Sequence, residues 1–185
     1  MKTTVMFIHS AGPQGQNQGS TNLSAYLKKE LEEDYNFYSP SMPIPENPKY
    51  VEWKKAFEQE GNHLSGEVIL IGHSLGGSFL LKYLSEESMI KISGLFVVAA
   101  PYWGIDSDWQ RSDFFLQSGF ERHFGEIDNL FLYHSRGEDI VPFVHHAAYA
   151  KKLPHAHKRV LDGNQHLFSN GLTELVNDIR SLSSI

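Results

Sequence analysis

The 185-residue chain has no cysteine, which removes a disulfide framework, a thiolate zinc site and a thiol nucleophile in one step. Any nucleophile must then be Ser, Thr or a carboxylate. No stretch approaches the ~20 apolar residues that a membrane-spanning helix needs, so a membrane partner is not expected. The apolar start, Val5 to Ile8, meets the polar pair His9-Ser10 too soon for a signal-peptide core, leaving the cytoplasm as the default compartment. Basic blocks are missing too. With 16 Lys and Arg against 22 Asp and Glu, the net charge is −6, and the scattered lysines cannot neutralise a run of phosphates, so nucleic acid is not an expected partner. Internal repeats and low-complexity segments are also lacking. What the chain does have is 41% hydrophobic residues, enough for one domain over 1–185 that buries about 70% of its unfolded surface.

Continuous apolar runs at 5–8, 68–71, 95–100 and 130–133 read as strands covered on both faces, with shorter candidates at 35–38 and 158–161. Between them lie helical patterns. Leu23, Tyr26, Leu27 and Leu31 follow a cap at Ser20 or Thr21; Tyr50, Trp53 and Phe57 follow Asn47-Pro48, read as N-cap and first helical position. Further helices fit 78–85, 145–152 and 172–182. Strands alternating with helices predict an α/β fold, a doubly wound and mostly parallel sheet flanked by helices, with functional loops at the C-terminal ends of the strands. The segment 101–125 breaks the alternation. It holds Trp103, Trp109, Phe114 and Phe115, taken as a substrate wall roofing the site, with plain core packing as the alternative.

Gly72-His73-Ser74-Leu75-Gly76 lies between an apolar strand and an amphipathic helix, the setting of a nucleophile elbow. A turn sharp enough to lift Ser74 clear of the sheet leaves little room for neighbouring side chains, and Gly72 and Gly76 supply that room. The helix that follows points free N–H groups at the site, so the Leu75 amide is placed to steady an oxyanion. A serine hydroxyl also needs a base, and the base needs a carboxylate. In chain order the acid follows the 130–133 strand, where Glu138 and Asp139 compete, and the base is His166, in the turn-rich loop before the last helix. His73 is read as packing beside its strand. His145-His146 and His155-Ala156-His157 lack the i, i+4 pairing and nearby carboxylate of a zinc site, so neither metal nor cofactor is expected.

The chain resembles the small α/β-hydrolases of the retinoblastoma-binding protein 9 and YdeN family over nearly its full length. Four stretches carry the likeness: Phe7-Ile8-His9-Ser10, Ser41-Met42-Pro43-Ile44-Pro45 with Trp53 downstream, the elbow, and Val141-Pro142-Phe143 followed by His166. The resemblance implies a minimal α/β-hydrolase fold without a separate lid domain, with Ser74 as nucleophile and His166 as base. Three positions depart from the family pattern. Asp usually stands four residues before the Pro of the Val-Pro pair, where this chain has Glu138; register therefore favours Glu138, residue type favours Asp139, and the register is given slightly more weight. Gln165 stands where Gly usually precedes the catalytic His. Ser10 stands where Gly is common, and the second oxyanion amide is expected from Ala11, or else from Ser10.

The expected function is cleavage of a small-molecule ester, thioester or amide through an acyl-enzyme. A catalytically silent binding module and an acyltransferase using the same residues are the alternatives. Oligomeric state is not readable from the sequence.

Overall fold

The computed structural model describes residues 2–61, 66–87 and 91–182. Six strands form one sheet: β1 (Thr4–Ile8), β2 (Asn36–Tyr38), β3 (Val68–His73), β4 (Ile92–Val98), β5 (Leu130–Ser135) and β6 (His157–Leu161). Their order is β2-β1-β3-β4-β5-β6, and every pairing is parallel. The helices are α1 (Thr21–Leu31), α2 (Tyr50–Gly61), α3 (Leu75–Glu86), α4 (Val144–Lys152) and α5 (Thr173–Leu182). This is the doubly wound architecture that the alternating pattern predicts.

Side chains along each buried strand alternate between two cores. Met6, Ile8, Leu70, Leu95, Val97, Leu130 and Leu132 pack with α2, α3 and α4 on one face. Val5, Phe7, Ile69, Ile71, Phe96, Phe131 and Tyr133 pack with α1 and α5 on the other. The chain runs from β1 outward to β2, then returns past β1 to β3. The topological switch point therefore falls between β1 and β3, where an open α/β sheet leaves a crevice at its C-terminal edge.

Residues 75–85 of α3 are all buried. One side lies on the sheet, and the other is covered by the aromatic segment, whose 3-10 turns Ser112–Phe114 and Phe120–Phe124 bring Phe114, Phe120 and Phe124 into the same core. Phe114 is 1% exposed and packs edge-on against Tyr50 and Trp53. It packs within the core, which is the alternative reading of the aromatic segment. The expected helix caps also differ. Tyr50 N–H donates to Asp113 Oδ2 at 3.1 Å, so a residue far along the chain does what Asn47 was expected to do. Ser20 precedes α1 but makes no capping bond, because its hydroxyl is engaged elsewhere. Among the described residues, no helix is long and apolar enough to cross a membrane.

α3 reaches the sheet only because glycines line the approach. A Cβ on Gly76 would lie 2.6 Å from His9 O and closer still to Ile8 O, both backbone atoms of β1 and its continuation. Gly76→Ala is expected to cost about 3 kcal/mol or more, since neither partner is a side chain that can turn away. A urea midpoint equal to that of the parent protein would show that α3 shifts freely on the sheet.

Candidate active site

Ser74 joins β3 to α3 with φ 52° and ψ −120°, a left-handed conformation that a residue with a Cβ rarely adopts. Its N–H donates to Val98 O at 2.8 Å, and its carbonyl accepts from Gly77 and Ser78, so the turn is pinned from both directions. Gly72 is required by close approach: a Cβ there would stand 2.6 Å from Gly76 O and from Gly77 N. Ser74 is half-buried, and its hydroxyl makes no hydrogen bond among the described residues.

The loop after β6 brings His166 to this turn. His166 O accepts a hydrogen bond from His73 Nε2 at 2.7 Å, and the two rings lie 5.1 Å apart. His73 has the same side-chain parity as Ile69 and Ile71, so it faces the α5 side, where the His166 loop arrives. Because a carbonyl only accepts, His73 carries its hydrogen on Nε2, leaving a buried Nδ1 without a partner among the described residues. One residue earlier, Gln165 O accepts from Ser135 Oγ at 2.6 Å. Two successive carbonyls of the loop are thus held by the last residues of two strands.

On its other side, His166 Nδ1 lies 2.9 Å from Glu138 Oε1. Glu138 is buried, and the same oxygen accepts the Val141 N–H at 2.6 Å. With Nδ1–H donating to a carboxylate, the lone pair of the neutral ring sits on Nε2. Asp139 is exposed and makes no hydrogen bond among the described residues, so the contact with imidazole is made by Glu138 alone. His134 lies on the far side of Glu138, its Nε2 donating to Val141 O at 2.7 Å and standing 3.6 Å from Glu138 Oε2.

The loop after β1 approaches Ser74 from the other side. Ser20 Oγ accepts the Ser10 N–H at 3.0 Å and lies 2.9 Å from His9 Nδ1; His9 Nε2 is 2.7 Å from Ser39 Oγ, which reaches Phe7 O. A consistent chain of donors runs through these groups: Ser10 N–H to Ser20 O–H to His9 Nδ1, then His9 Nε2–H to Ser39 O–H to Phe7 O. The Ser10 amide is consumed here and is not free to hold an oxyanion. The Gly12 amide is consumed as well, on Pro45 O at 2.7 Å. Between them the Ala11 amide, like that of Leu75, donates to nothing among the described residues. Trp53 Nε1 in turn holds Pro43 O at 2.9 Å, so the Met-Pro-x-Pro stretch acts as a brace for this loop.

Of the expected substrate wall, Trp103 and Trp109 remain half-exposed, their rings 5.3 Å apart. The Phe115 ring lies beneath Gly104, and its carbonyl accepts Lys82 Nζ at 2.8 Å. Sequence reasoning missed the roles of Ser20, Ser135 and His134, and it set His73 aside. For His73 and Ser135 a usable signal existed in strand parity.

The chain belongs to the serine hydrolase family, whose model matches residues 16–168. Its fold is that of the α/β-hydrolases. The ydeN gene product of B. subtilis superposes with a TM-score of 0.84 at 20% identity, covering 100% of both chains. Est1E from Butyrivibrio proteoclasticus gives 0.70 at 15% identity, over 100% of this chain and 90% of that one. A meta-cleavage product hydrolase from Pseudomonas fluorescens IP01 gives 0.70 at 13%, over 98% and 89%. No curated protein matches the sequence.

Burial keeps several of these imidazoles neutral. It pushes His9 down to about 4; at His73 burial, helped by the neighbouring His166 ring, gives about 3; at His146 burial, helped by His134 and Lys158, gives about 4. All three start from 6.5 in the unfolded chain, so between pH 6.5 and about 4 the unfolded state binds more protons than the folded one. Their contribution to stability is complete above pH 6.5 and is lost as pH falls. Unfolding near pH 5 should take up about three protons from these groups, giving a clearly lower urea midpoint at pH 5 than at pH 7. Equal midpoints would contradict the assignment of neutral buried rings.

Proposed function

We propose that this hydrolase cleaves a small-molecule ester, thioester or amide through an acyl-enzyme on Ser74. One observation carries the reading: a carboxylate buried at Glu138 orients His166 through Nδ1, in a loop tied to the residue before a strained serine. In the first half-reaction Ser74 Oγ bonds to the substrate carbonyl carbon while His166 Nε2 takes its proton. The carbonyl oxygen becomes an oxyanion between the Leu75 and Ala11 amides. Collapse expels the alcohol, thiol or amine, which receives the proton from His166. Water then repeats the sequence on the acyl-enzyme, its proton passing to His166, and the acid is released with Ser74 regenerated. Glu138 accepts the Nδ1–H bond throughout and stabilises the imidazolium.

The free hydroxyl of Ser74 is compatible with this order of events, because catalytic hydrogen bonds in unliganded sites often tighten only with substrate bound. His73 acts at one remove by fixing the backbone of the base.

A fluorophosphonate probe should label the parent protein and not Ser74→Ala; equal labelling of both removes Ser74 as nucleophile. Glu138→Gln should lower kcat on p-nitrophenyl esters by about 10³ or more, while Asp139→Asn stays within about threefold. The reverse ranking would assign the acid to Asp139. Absence of both labelling and turnover over a broad ester and amide panel would favour a silent binding module. His73→Phe, which keeps a ring but loses the donor, should cut kcat about tenfold with little change in KM. An unchanged kcat would show that the His166 loop holds itself.

A further inference from the structure

Two buried donors near the C-terminal end of β4 have no acceptor among the described residues. His145, the second residue of α4, is fully buried, and its Nδ1 accepts the Tyr102 N–H at 2.9 Å. A ring nitrogen that accepts this bond carries no hydrogen, so the neutral ring has its hydrogen on Nε2, and Nε2 has no partner among the described residues. The buried Trp103 Nε1–H is likewise without an acceptor. Trp109 joins the two residues: its ring meets His145 edge-on at 4.3 Å and lies 5.3 Å from Trp103.

The cluster sits at the C-terminal edge of β4, the strand next to the one that carries Ser74. Tyr102 and Trp103 continue from Ala100, whose side chain lies against Gly77 in the first turn of α3, and Ser78 Oγ holds Pro101 O at 2.6 Å. On the far side, the Arg111 guanidinium lies 5.9 Å from the Trp103 ring and reaches Pro48 O at 3.4 Å. The aromatic rim therefore runs from α4 to the loop before α2, along the end of β4 and beside the first turn of α3.

Nearly all buried N–H groups in folded proteins find an acceptor, and one left bare costs about 1–3 kcal/mol. Two in one aromatic cluster, both donors, call for a ligand that brings oxygen. The charges that act on the cluster are mostly acidic, Asp106 and Glu138 on His145 and Glu121 on Tyr102, with Arg111 beside the Trp103 ring, and Asp106 Oδ1 is already occupied by the Asp108 and Trp109 amides. Burial holds the His145 ring below its ordinary pKa, hence neutral. An uncharged acceptor fits this setting better than a carboxylate.

We propose that His145 Nε2–H and Trp103 Nε1–H select substrates whose acyl group carries an uncharged oxygen acceptor, a ketone, amide carbonyl or ether, against plain alkyl chains. The proposal rests on the acyl-enzyme reading above and names the substrate class for that site. It would make these two side chains specificity-determining residues.

The test compares p-nitrophenyl pentanoate with p-nitrophenyl 3-methoxypropanoate and 4-oxopentanoate, each kcat/KM divided by the ester's hydroxide rate. The parent protein should favour the oxygen-bearing esters at least about tenfold, the effect of one good hydrogen bond. In Trp103→Phe and in His145→Phe that ratio should fall toward one. A merely structural role would lower all esters together and leave the ratio in place; Trp103→Phe keeps the test valid if His145→Phe does not fold. No preference in the parent, or a preference that survives both substitutions, overturns the proposal. So does probe labelling of Ser74 without turnover of the oxygen-bearing esters. Failure of labelling and turnover together instead removes the acyl-enzyme reading beneath it.

Discussion

The structure turns on a backbone conformation at Ser74 that the residue would not adopt by itself. A φ of 52° on a side-chain-bearing residue costs on the order of 1–3 kcal/mol, and it persists only where the surroundings allow no alternative. Here the surroundings are glycine. Gly72, Gly76 and Gly77 let the first turn of α3 press onto β1, onto β3 and against Ala100, so the elbow has no space in which to relax. The same closeness aims the Leu75 amide, which donates to nothing among the described residues, toward the C-terminal edge of the sheet.

A second constraint is written in strand parity. His9, His73 and Ser135 are the polar residues that end or follow β1, β3 and β5, and all three face the side of the sheet covered by α1 and α5. Each one holds a neighbouring segment: His9 holds Ser20 and Ser39, His73 holds the His166 carbonyl, and Ser135 holds the Gln165 carbonyl. The sheet thus ends in a row of polar side chains that converts strand register into loop position. That row explains how loops far apart in sequence are fixed about one serine in a chain without cysteine.

Much of this was legible in the sequence. The six strands and five helices of the described residues, and the glycine-bracketed turn at Ser74, follow from local patterns, because burial on two faces and glycine at a tight turn leave local marks. Long-range substitutions leave none. Asp113 caps α2 from 63 positions away, and Ser20 gives up its own helix end to hold the Ser10 amide and His9. Phe114 reads like any loop aromatic until the fold places it against Trp53. Glu138 and Asp139 differ only through the path of the turn, which buries one carboxylate beside His166 and leaves the next exposed. The Gln165 position, where Gly was the usual neighbour of His, is accommodated because it is the backbone carbonyl of Gln165 that Ser135 grips.

The enclosure of α3 has a consequence for how the molecule opens. A helix walled in along residues 75–85 has no solvent face from which to fray, so its amide hydrogens exchange with the medium only when the sheet and the aromatic cover separate together. Partial unfolding then begins at the rim, in β2, β6 and the surface loops, and the segment bearing the serine is among the last to lose its shape.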